Sequence, residues 1–167
     1  MNAIAADLLF GLASLLVLCF GAVLLVGAPF LPTLRPQIDI ALEMLHLKSG
    51  QTMLELGCGD GRVLIAAAKR GWNVVGYELN PILAFIAWLR TWPYRKQVRV
   101  VWGDYWAAEW PEADGIFAFL LTRYMRKLDK KIMQYKHKPV VLASFAFPVP
   151  NRDPKAQNSG VFLYEYK

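Results

Sequence analysis

The stretch Glu55-Leu56-Gly57-Cys58-Gly59-Asp60-Gly61 decides the fold of this chain. Its three glycines stand at every second position, between an apolar run over residues 52–56 and a helix-like segment over residues 62–70. Glycine lets the backbone turn sharply and come close to a bound ligand. A strand, a glycine turn and a helix in this order build the nucleotide site of doubly wound α/β proteins. The sequence therefore predicts an α/β fold with a ligand site at this turn.

The charges of this glycine loop restrict the class of cofactor that it is able to bind. A dinucleotide loop must receive a pyrophosphate, which the acids Glu55 and Asp60 would repel. The dinucleotide spacing G-x-G-x-x-G also fails, because its third glycine position is Arg62. Two acids suit a cofactor that has a positive centre and no phosphate, such as the sulfonium S-adenosyl-L-methionine. The loop thus favours that cofactor and disfavours a nicotinamide oxidoreductase.

The order of the remaining elements predicts the sheet. Helices are predicted over 36–47, 62–70, 81–92 and 124–136, and strands over 52–56, 73–78, 98–102, 116–121, 140–147 and 161–166. This alternation predicts a mostly parallel sheet with helices on both faces. The region after Val140 lacks room for a last helix and a full terminal hairpin, so the sheet is predicted to be abbreviated.

Two acids follow strands of the predicted sheet. Glu78 ends the second strand, 21 residues after Gly57, where a carboxylate reaches the ribose hydroxyls in such folds. The alternative is a surface acid at a strand end. Asp104 follows the third strand, where a carboxylate accepts from an adenine amino group. The alternative there is a turn formed by Gly103 and Asp104.

Four motifs occur in order along the chain, namely Glu55–Arg62, Gly76–Pro81 (G-Y-E-L-N-P), Gly103–Trp106 and Phe145–Pro148 (F-A-F-P). With them the chain resembles the small membrane-anchored lysine methyltransferases that modify the adenine nucleotide translocase and the ATP synthase c-subunit, and their bacterial relatives. The resemblance implies a Rossmann-like class I methyltransferase fold, S-adenosyl-L-methionine as cofactor and a protein lysine as methyl acceptor. It also implies cofactor contacts from Glu55, Gly57, Gly59, Glu78 and Asp104.

The predicted site extends to the neighbours of these residues. Cys58, Gly61, Leu79 and Tyr105 complete the predicted cofactor site. The candidates for the acceptor pocket are Trp106, Thr122, Phe145 and Phe147. A dry, aromatic pocket lowers the pKa of a lysine amine and so favours its reactive neutral form. Thr122 lies in the loop Leu120–Arg123, where the family tends to have a proline. The sequence identifies no catalytic acid or base, and the two histidines show no metal-ligand spacing.

The N-terminal segment predicts a membrane anchor. Leu8 to Ala28 is a run of 21 residues without a charge, long enough to span a bilayer as a helix. A signal peptide is the alternative, but it needs basic residues before the run, and residues 1–34 contain no Lys or Arg. We therefore expect an anchor and a proline-rich connector over residues 1–34, followed by the methyltransferase domain over residues 35–167.

The charge distribution predicts the orientation of that anchor. All 19 Lys and Arg residues lie at or after Arg35, where they face 12 acids and give the domain a net charge of +7. Because basic residues stay on the cytoplasmic side, we expect a single-pass protein with its domain on the cytoplasmic or matrix side. The basic face over residues 123–131 is compatible with nucleic acid, but anionic lipid is the nearer partner for an anchored protein.

The segment Pro81–Trp92 has almost no polar face. A helix that is apolar all round is either a central core helix or one whose second side is covered by the anchor, lipid or a partner. Together these features predict a methyltransferase tethered to a membrane that modifies a lysine of a membrane protein. A methyltransferase of a lipid or of a small membrane-soluble molecule, and a non-catalytic membrane module with the same fold, are the alternatives. No metal and no nucleic-acid partner are expected.

Overall fold

A computed structural model describes residues 3–26, 31–137 and 139–167 of the chain. The α-helices are α1 (Ala3–Val26), α2 (Arg35–Leu45), α3 (Arg62–Ala68), α4 (Pro81–Thr91) and α5 (Thr122–Met133), with a short 3-10 helix at Trp92–Tyr94. The strands are β1 (Thr52–Leu56), β2 (Asn73–Glu78), β3 (Val98–Trp102), β4 (Gly115–Ala118), β5 (Val140–Phe145), β6 (Ala156–Asn158) and β7 (Val161–Tyr166).

The seven strands form one sheet in the order β3-β2-β1-β4-β5-β7-β6. The five strands from β3 to β5 are parallel, whereas β7 pairs antiparallel with both β5 and β6. The order reverses beside β1, so the carboxyl ends of β1, β2 and β4 open onto the crevice where such sheets bind ligands. The predicted mostly parallel α/β fold is confirmed.

The prediction of an abbreviated sheet is wrong. The terminal hairpin is present, because β6 pairs with β7 from Ala156↔Leu163 to Asn158↔Val161. Its three residues, Ala-Gln-Asn, are all exposed and show no hydrophobic alternation, so β6 carries no sequence signal for a strand. As expected, no helix separates β5 from β6 in the part of the chain that the structure describes.

Alternate residues of each central strand enter two separate cores. On one face, Met53 of β1 packs with α2, α3 and Ala87 of α4. On the other face, Leu54 of β1 packs with Met125 and Leu128 of α5. The central strands of a parallel sheet covered on both faces in this way are buried, and their carboxyl ends lie together at the edge that carries the site.

The N-terminal segment forms α1 over Ala3–Val26, whereas the sequence predicts a membrane-spanning helix over residues 8–28. Residues 27 and 28 lie outside the described residues. Within the described part of the chain, no helix combines the length and the apolar character that crossing a membrane requires.

Helix α4 is not a central core helix. Leu83, Ala84 and Ala87 are buried on its inner side, but Trp88 and Leu89 are about half exposed. The helix packs on β3 and α3 with one side only. The sequence left two alternatives for this helix, a central core position or a second side covered by the anchor, lipid or a partner. The central core position is therefore wrong.

Candidate active site

The glycine loop turns back onto the neighbouring strand β2. The backbone N–H groups of Gly57 and Cys58 both donate to the carbonyl oxygen of Tyr77, at 3.0 and 2.8 Å. Gly57, Gly59 and Gly61 all have a positive φ, of 86°, 54° and 79°. Only glycine takes this conformation without steric cost, so the alternating glycines follow from the shape of the turn.

The first and third glycines of the loop face different surroundings. A Cβ atom on Gly57 would meet no other atom within 4 Å, so this position borders open space at the end of β1. A Cβ atom on Gly61 would lie 3.2 Å from Ala87 and Thr91 of α4. Gly57 thus lets a ligand approach the backbone, whereas Gly61 lets α3 and α4 pack closely.

Glu55 is a buried carboxylate with one oxygen that lacks a hydrogen-bond partner. It lies within β1 and is 4% exposed, and its Oε2 atom accepts no hydrogen bond from the part of the chain that the structure describes. Burial raises the pKa of Glu55 well above the usual 4.5, and the charges of Glu78 and Asp60 raise it further. An unpaired buried acceptor of this kind is costly. A cationic ligand beside it would satisfy the carboxylate, which fits the sulfonium and amino groups of S-adenosyl-L-methionine.

Glu78 organises the loop. One carboxylate oxygen accepts from the backbone N–H of Gly59 and the other from that of Asn80, both at 2.8 Å. The side chain is 7% exposed, so the interpretation of Glu78 as a surface acid is wrong. Burial raises the pKa of Glu78, although these backbone donors oppose the shift. The residue therefore ties the end of β2 to the glycine loop.

Asn80 is a site-supporting residue that sequence reasoning missed. It is fully buried, and its Oδ1 atom accepts from the backbone N–H groups of Ile82 and Leu83, at 2.9 and 3.2 Å. It thus caps the N-terminus of α4, with Pro81 at the first helical position. The signal was present in the sequence as Asn followed by Pro before an apolar helix. Leu79, between Glu78 and Asn80, is half-buried.

Asp60 does not contribute a free negative charge to the loop. Its carboxylate binds both Arg62, at 2.9 Å through two nitrogens, and Arg90 of α4. Burial works against ionisation of Asp60, but the hydrogen bonds from the two arginines outweigh it and lower its pKa. The loop sequence contains two acids, Glu55 and Asp60, but among the described residues it is Glu55 and Glu78 that form no ion pair with an arginine or lysine.

Asp104 forms a turn after β3. Its Oδ1 atom accepts from the backbone N–H of Trp106 at 2.7 Å, and its carbonyl oxygen accepts from Ala107 and Ala108. The turn that was the alternative interpretation is therefore present. Contact with an adenine amino group stays a prediction for Asp104.

Aromatic side chains gather in two groups at the carboxyl ends of the strands. In the first group, Trp106 lies 4.8 Å from Tyr105 and 6.1 Å from Tyr124 between ring centroids. In the second, Phe119 lies 4.7 Å from Phe145 and 6.5 Å from Phe147. All these rings are partly buried. The aromatic residues predicted for the acceptor pocket are thus divided between two groups, both at the carboxyl edge of the sheet.

The structure adds two aromatic residues and places the remaining candidates. Sequence reasoning missed Phe119 and Tyr124, although both follow the fourth strand, where side chains reach the site. Thr122 is exposed at the start of α5.

The turn after β5, which carries Phe147, is held by a side chain. Ser144 donates to the carbonyl oxygen of Phe147 at 2.7 Å.

Cys58 is buried in the loop as a free thiol. Burial raises its pKa well above the usual 9.0, and Glu55 and Glu78 raise it further. The thiol is therefore neutral and unreactive as a nucleophile. The described residues contain no cluster of His, Cys, Asp and Glu that is able to hold a metal ion.

Comparison with known proteins identifies the family. Residues 55–156 match the ANTKMT methyltransferase domain. The chain belongs to this family. The match begins at Glu55 and ends at β6, so it contains the glycine loop, Glu78, Asp104 and both aromatic groups. The predicted class, a methyltransferase that uses S-adenosyl-L-methionine, is confirmed at the level of this family.

Several relatives of this methyltransferase domain have named activities. The ATP synthase c-subunit lysine N-methyltransferase of Homo sapiens is 31% identical over 128 residues, which are 75% of this chain and 54% of the human protein. The chain thus spans about half the length of that relative. A protein-lysine N-methyltransferase of Saccharolobus islandicus is 28% identical over 149 residues, covering 81% of this chain and 92% of the archaeal protein.

A solved structure shares the fold. An RNA methyltransferase from Salinibacter ruber, crystallised with S-adenosyl-L-homocysteine, superposes with a TM-score of 0.74 at 26% identity. The superposition covers 81% of this chain and 92% of the bacterial protein. That protein holds the demethylated product of the cofactor predicted for this methyltransferase domain, which supports the assignment of S-adenosyl-L-methionine.

Proposed function

We propose that this protein transfers a methyl group from S-adenosyl-L-methionine to the side-chain amine of a lysine in a membrane protein. The observation that carries the proposal is the buried carboxylate of Glu55, whose Oε2 atom has no partner among the described residues, beside an open glycine backbone. The printed activities of the human and archaeal relatives support lysine as the acceptor.

We assign the cofactor site to the glycine loop and the ends of β2 and β3. When bound, S-adenosyl-L-methionine supplies an activated methyl group on a positively charged sulfur. Glu55 would face the cationic part of the cofactor, and the backbone at Gly57 and Gly59 would border it. Glu78 would accept from the ribose hydroxyls while it holds the loop, and Asp104 would accept from the adenine amino group. Cys58, Gly61, Leu79 and Tyr105 support these contacts.

We assign the acceptor site to the aromatic groups at the same edge of the sheet. A lysine amine must lose a proton before it attacks, and its charged form is disfavoured where water is excluded. Trp106 and Tyr124 line one wall and Phe119, Phe145 and Phe147 line the other. Burial raises the pKa of Tyr105, so its hydroxyl stays protonated and does not serve as a base.

The proposal includes recruitment to a membrane. The uncharged run over residues 8–28 and the basic domain that follows it support a tether, with residues 35–167 on the cytoplasmic or matrix side. A tether raises the effective concentration of a membrane-embedded acceptor without adding a contact to the active site.

RNA is a second candidate acceptor, which one observation favours. The Salinibacter ruber neighbour is an RNA methyltransferase, and this chain has a net charge of +6. A membrane lipid is a third candidate, because the same site would accept a small amine held at a membrane. The acceptor experiment must therefore separate three classes of molecule.

Labelled methyl transfer tests the proposal. Full-length protein and methyl-labelled S-adenosyl-L-methionine are incubated with membranes from cells that lack this chain, and the label is followed through protease, nuclease and lipid extraction. We expect the label to stay with protein, to be released by protease, and to appear as methyl-lysine after hydrolysis. Label in the nuclease-sensitive or lipid fraction would contradict a lysine acceptor. Glu78→Ala serves as the inactive control.

A further inference from the structure

The outer face of α4 is an exposed apolar surface that the proposed reaction does not use. Its residues recur with the spacing of one helix face. We call them the α4 face: Phe85, Ile86, Trp88, Leu89 and Trp92, with exposed fractions of 58%, 36%, 45%, 50% and 48%. A contiguous apolar surface of this kind marks a site of association with a protein or a membrane.

Tryptophan is concentrated at this face. Of the six tryptophans in the chain, Trp88, Trp92 and Trp102 are about half exposed or more, and Trp102 lies on β3, the strand on which α4 packs. Trp88 makes an edge contact with Trp92 at 4.9 Å between ring centroids. Trp72 and Trp110, by contrast, are buried. Tryptophan rings prefer the depth of lipid headgroups, where one side is apolar and the other is wet.

The segment of sequence that contains the α4 face carries basic residues and no acids. The 25 residues between Glu78 and Asp104 contain four cations and no acid. All four are exposed, but Arg90 forms an ion pair with Asp60, so the cations that face outward without an acid among the described residues are Arg95, Lys96 and Arg99. Arg95 also lies over the ring of Trp92, 5.1 Å from its centroid. The face is therefore complementary to a negatively charged surface.

This charge pattern distinguishes between occupants. In a symmetric dimer the same patch would meet itself and bring like cations together. An anionic bilayer instead offers negative headgroups to Arg95 and Lys96 and an apolar layer to the rings of Trp88 and Trp92. We propose that the α4 face docks the methyltransferase domain onto an anionic phospholipid surface, as a contact separate from the N-terminal segment.

The inner side of α4 holds this surface in place. Asn80 caps the helix, Gly61 packs against Ala87, and Arg90 binds both the carbonyl oxygen and the carboxylate of Asp60. The α4 face is thus presented by a fixed helix that borders the glycine loop. Docking requires no rearrangement of the domain.

Tryptophan fluorescence offers a selective test on the full-length protein, because residues 1–34 contain no tryptophan. The protein is mixed with vesicles of seven parts phosphatidylcholine to three parts phosphatidylglycerol that carry bromine on their acyl chains, which quenches nearby rings. We expect strong quenching in the wild type and a clear loss of it in a Trp88→Phe, Trp92→Phe variant, in which Trp102 is the exposed ring that remains near α4. The matched control, Trp106→Phe, changes a ring that contacts Tyr124 of α5 and is expected to retain the quenching.

A charge series tests the lipid component. Arg95→Gln, Lys96→Gln should weaken the quenching in the anionic vesicles, whereas Arg126→Gln, Lys130→Gln on α5 removes the same charge and should not. About fivefold weaker partitioning per cation is the expected scale. Equal loss in both charge pairs, or equal quenching by vesicles of phosphatidylcholine alone, would overturn the role of these cations. Absence of quenching of Trp88 and Trp92 would overturn the proposal. Dimers in sedimentation would then favour a second copy of the chain as the cover of the α4 face, and monomers would favour the N-terminal segment.

Discussion

At the scale of single residues, Glu55 shows a conflict between stability and function. Its pKa is raised in the folded protein by burial, so the native state binds a proton more tightly than the unfolded chain does. The contribution of Glu55 to stability is therefore most favourable below pH 4.5, the ordinary value, and is lost as the pH rises through the raised pKa. Glu55→Gln removes this cost. We expect it to melt at a higher temperature than the wild type near neutral pH, without cofactor, and to lose that advantage in acid.

The matched control for this experiment is Glu112→Gln, which changes an exposed carboxylate. Thermal melts of the two variants and the wild type across the pH range measure the effect. A Glu55→Gln protein that is less stable than the wild type at neutral pH would mean that Glu55 has a partner in the folded protein.

Glu78 is expected to contribute to both folding and binding. Replacing it by Ala leaves the buried N–H groups of Gly59 and Asn80 without their acceptor, at about 1–3 kcal/mol each. It also removes the proposed acceptor of the ribose hydroxyls, so cofactor affinity should fall at least about tenfold. Denaturant unfolding and calorimetric titration separate the two effects. Unchanged affinity in a folded Glu78→Ala protein would exclude Glu78 from the cofactor site.

At the scale of secondary-structure elements, the glycine loop allows a paired prediction. Gly57→Ala and Gly61→Ala both place a side chain at positive φ, at about 1–2 kcal/mol. Only at Gly61 does the added methyl group also press on α4. We expect Gly61→Ala to be the less stable of the two proteins. We expect Gly57→Ala to lose more cofactor affinity relative to the stability that it loses. Urea unfolding and titration measure both quantities, and the reverse order would contradict the assigned roles.

The elements differ in how well the sequence predicts them. Strands β1, β2 and β3 lie where predicted, because short, mostly apolar segments bounded by glycine and polar residues leave few alternatives. β4 ends at Ala118 and β5 at Phe145, two or three residues early, because the chain leaves the sheet before the apolar run ends. β6 was missed because pairing with β7, rather than its own polar residues, makes it a strand.

Contacts between elements explain the remaining differences within the site. The spacing from Gly57 predicted the position of Glu78, since both lie at ends of neighbouring parallel strands. The pairing of Asp60 with Arg90 was not predictable, because the two residues lie 30 positions apart and meet only when α4 packs on α3. Phe119 was likewise missed, because its contact with Phe145 depends on the register of β4 with β5.

At the scale of the whole molecule, a few sequence motifs predict the family and the parallel sheet. They do not predict which surfaces of the molecule are covered by a partner. The apolar pattern of α4 is equally compatible with a core position, and only the strand order shows that this helix packs at the edge strand β3. The surroundings of a surface depend on partners outside the chain, so membrane contact stays a proposal. The proposed cofactor site, by contrast, lies wholly within residues 55–105 of one domain.

Calorimetric titration of the full-length protein with S-adenosyl-L-methionine tests the central claim most directly. Performed at about pH 6 in two buffers of different ionisation heat, it measures both affinity and proton exchange. Because a cation beside Glu55 favours its ionised form, we predict that the wild type binds with proton release. Glu55→Gln should bind more weakly and with less proton release. Equal affinity and equal proton exchange in the two proteins would contradict the claim that Glu55 receives the positive charge of the cofactor.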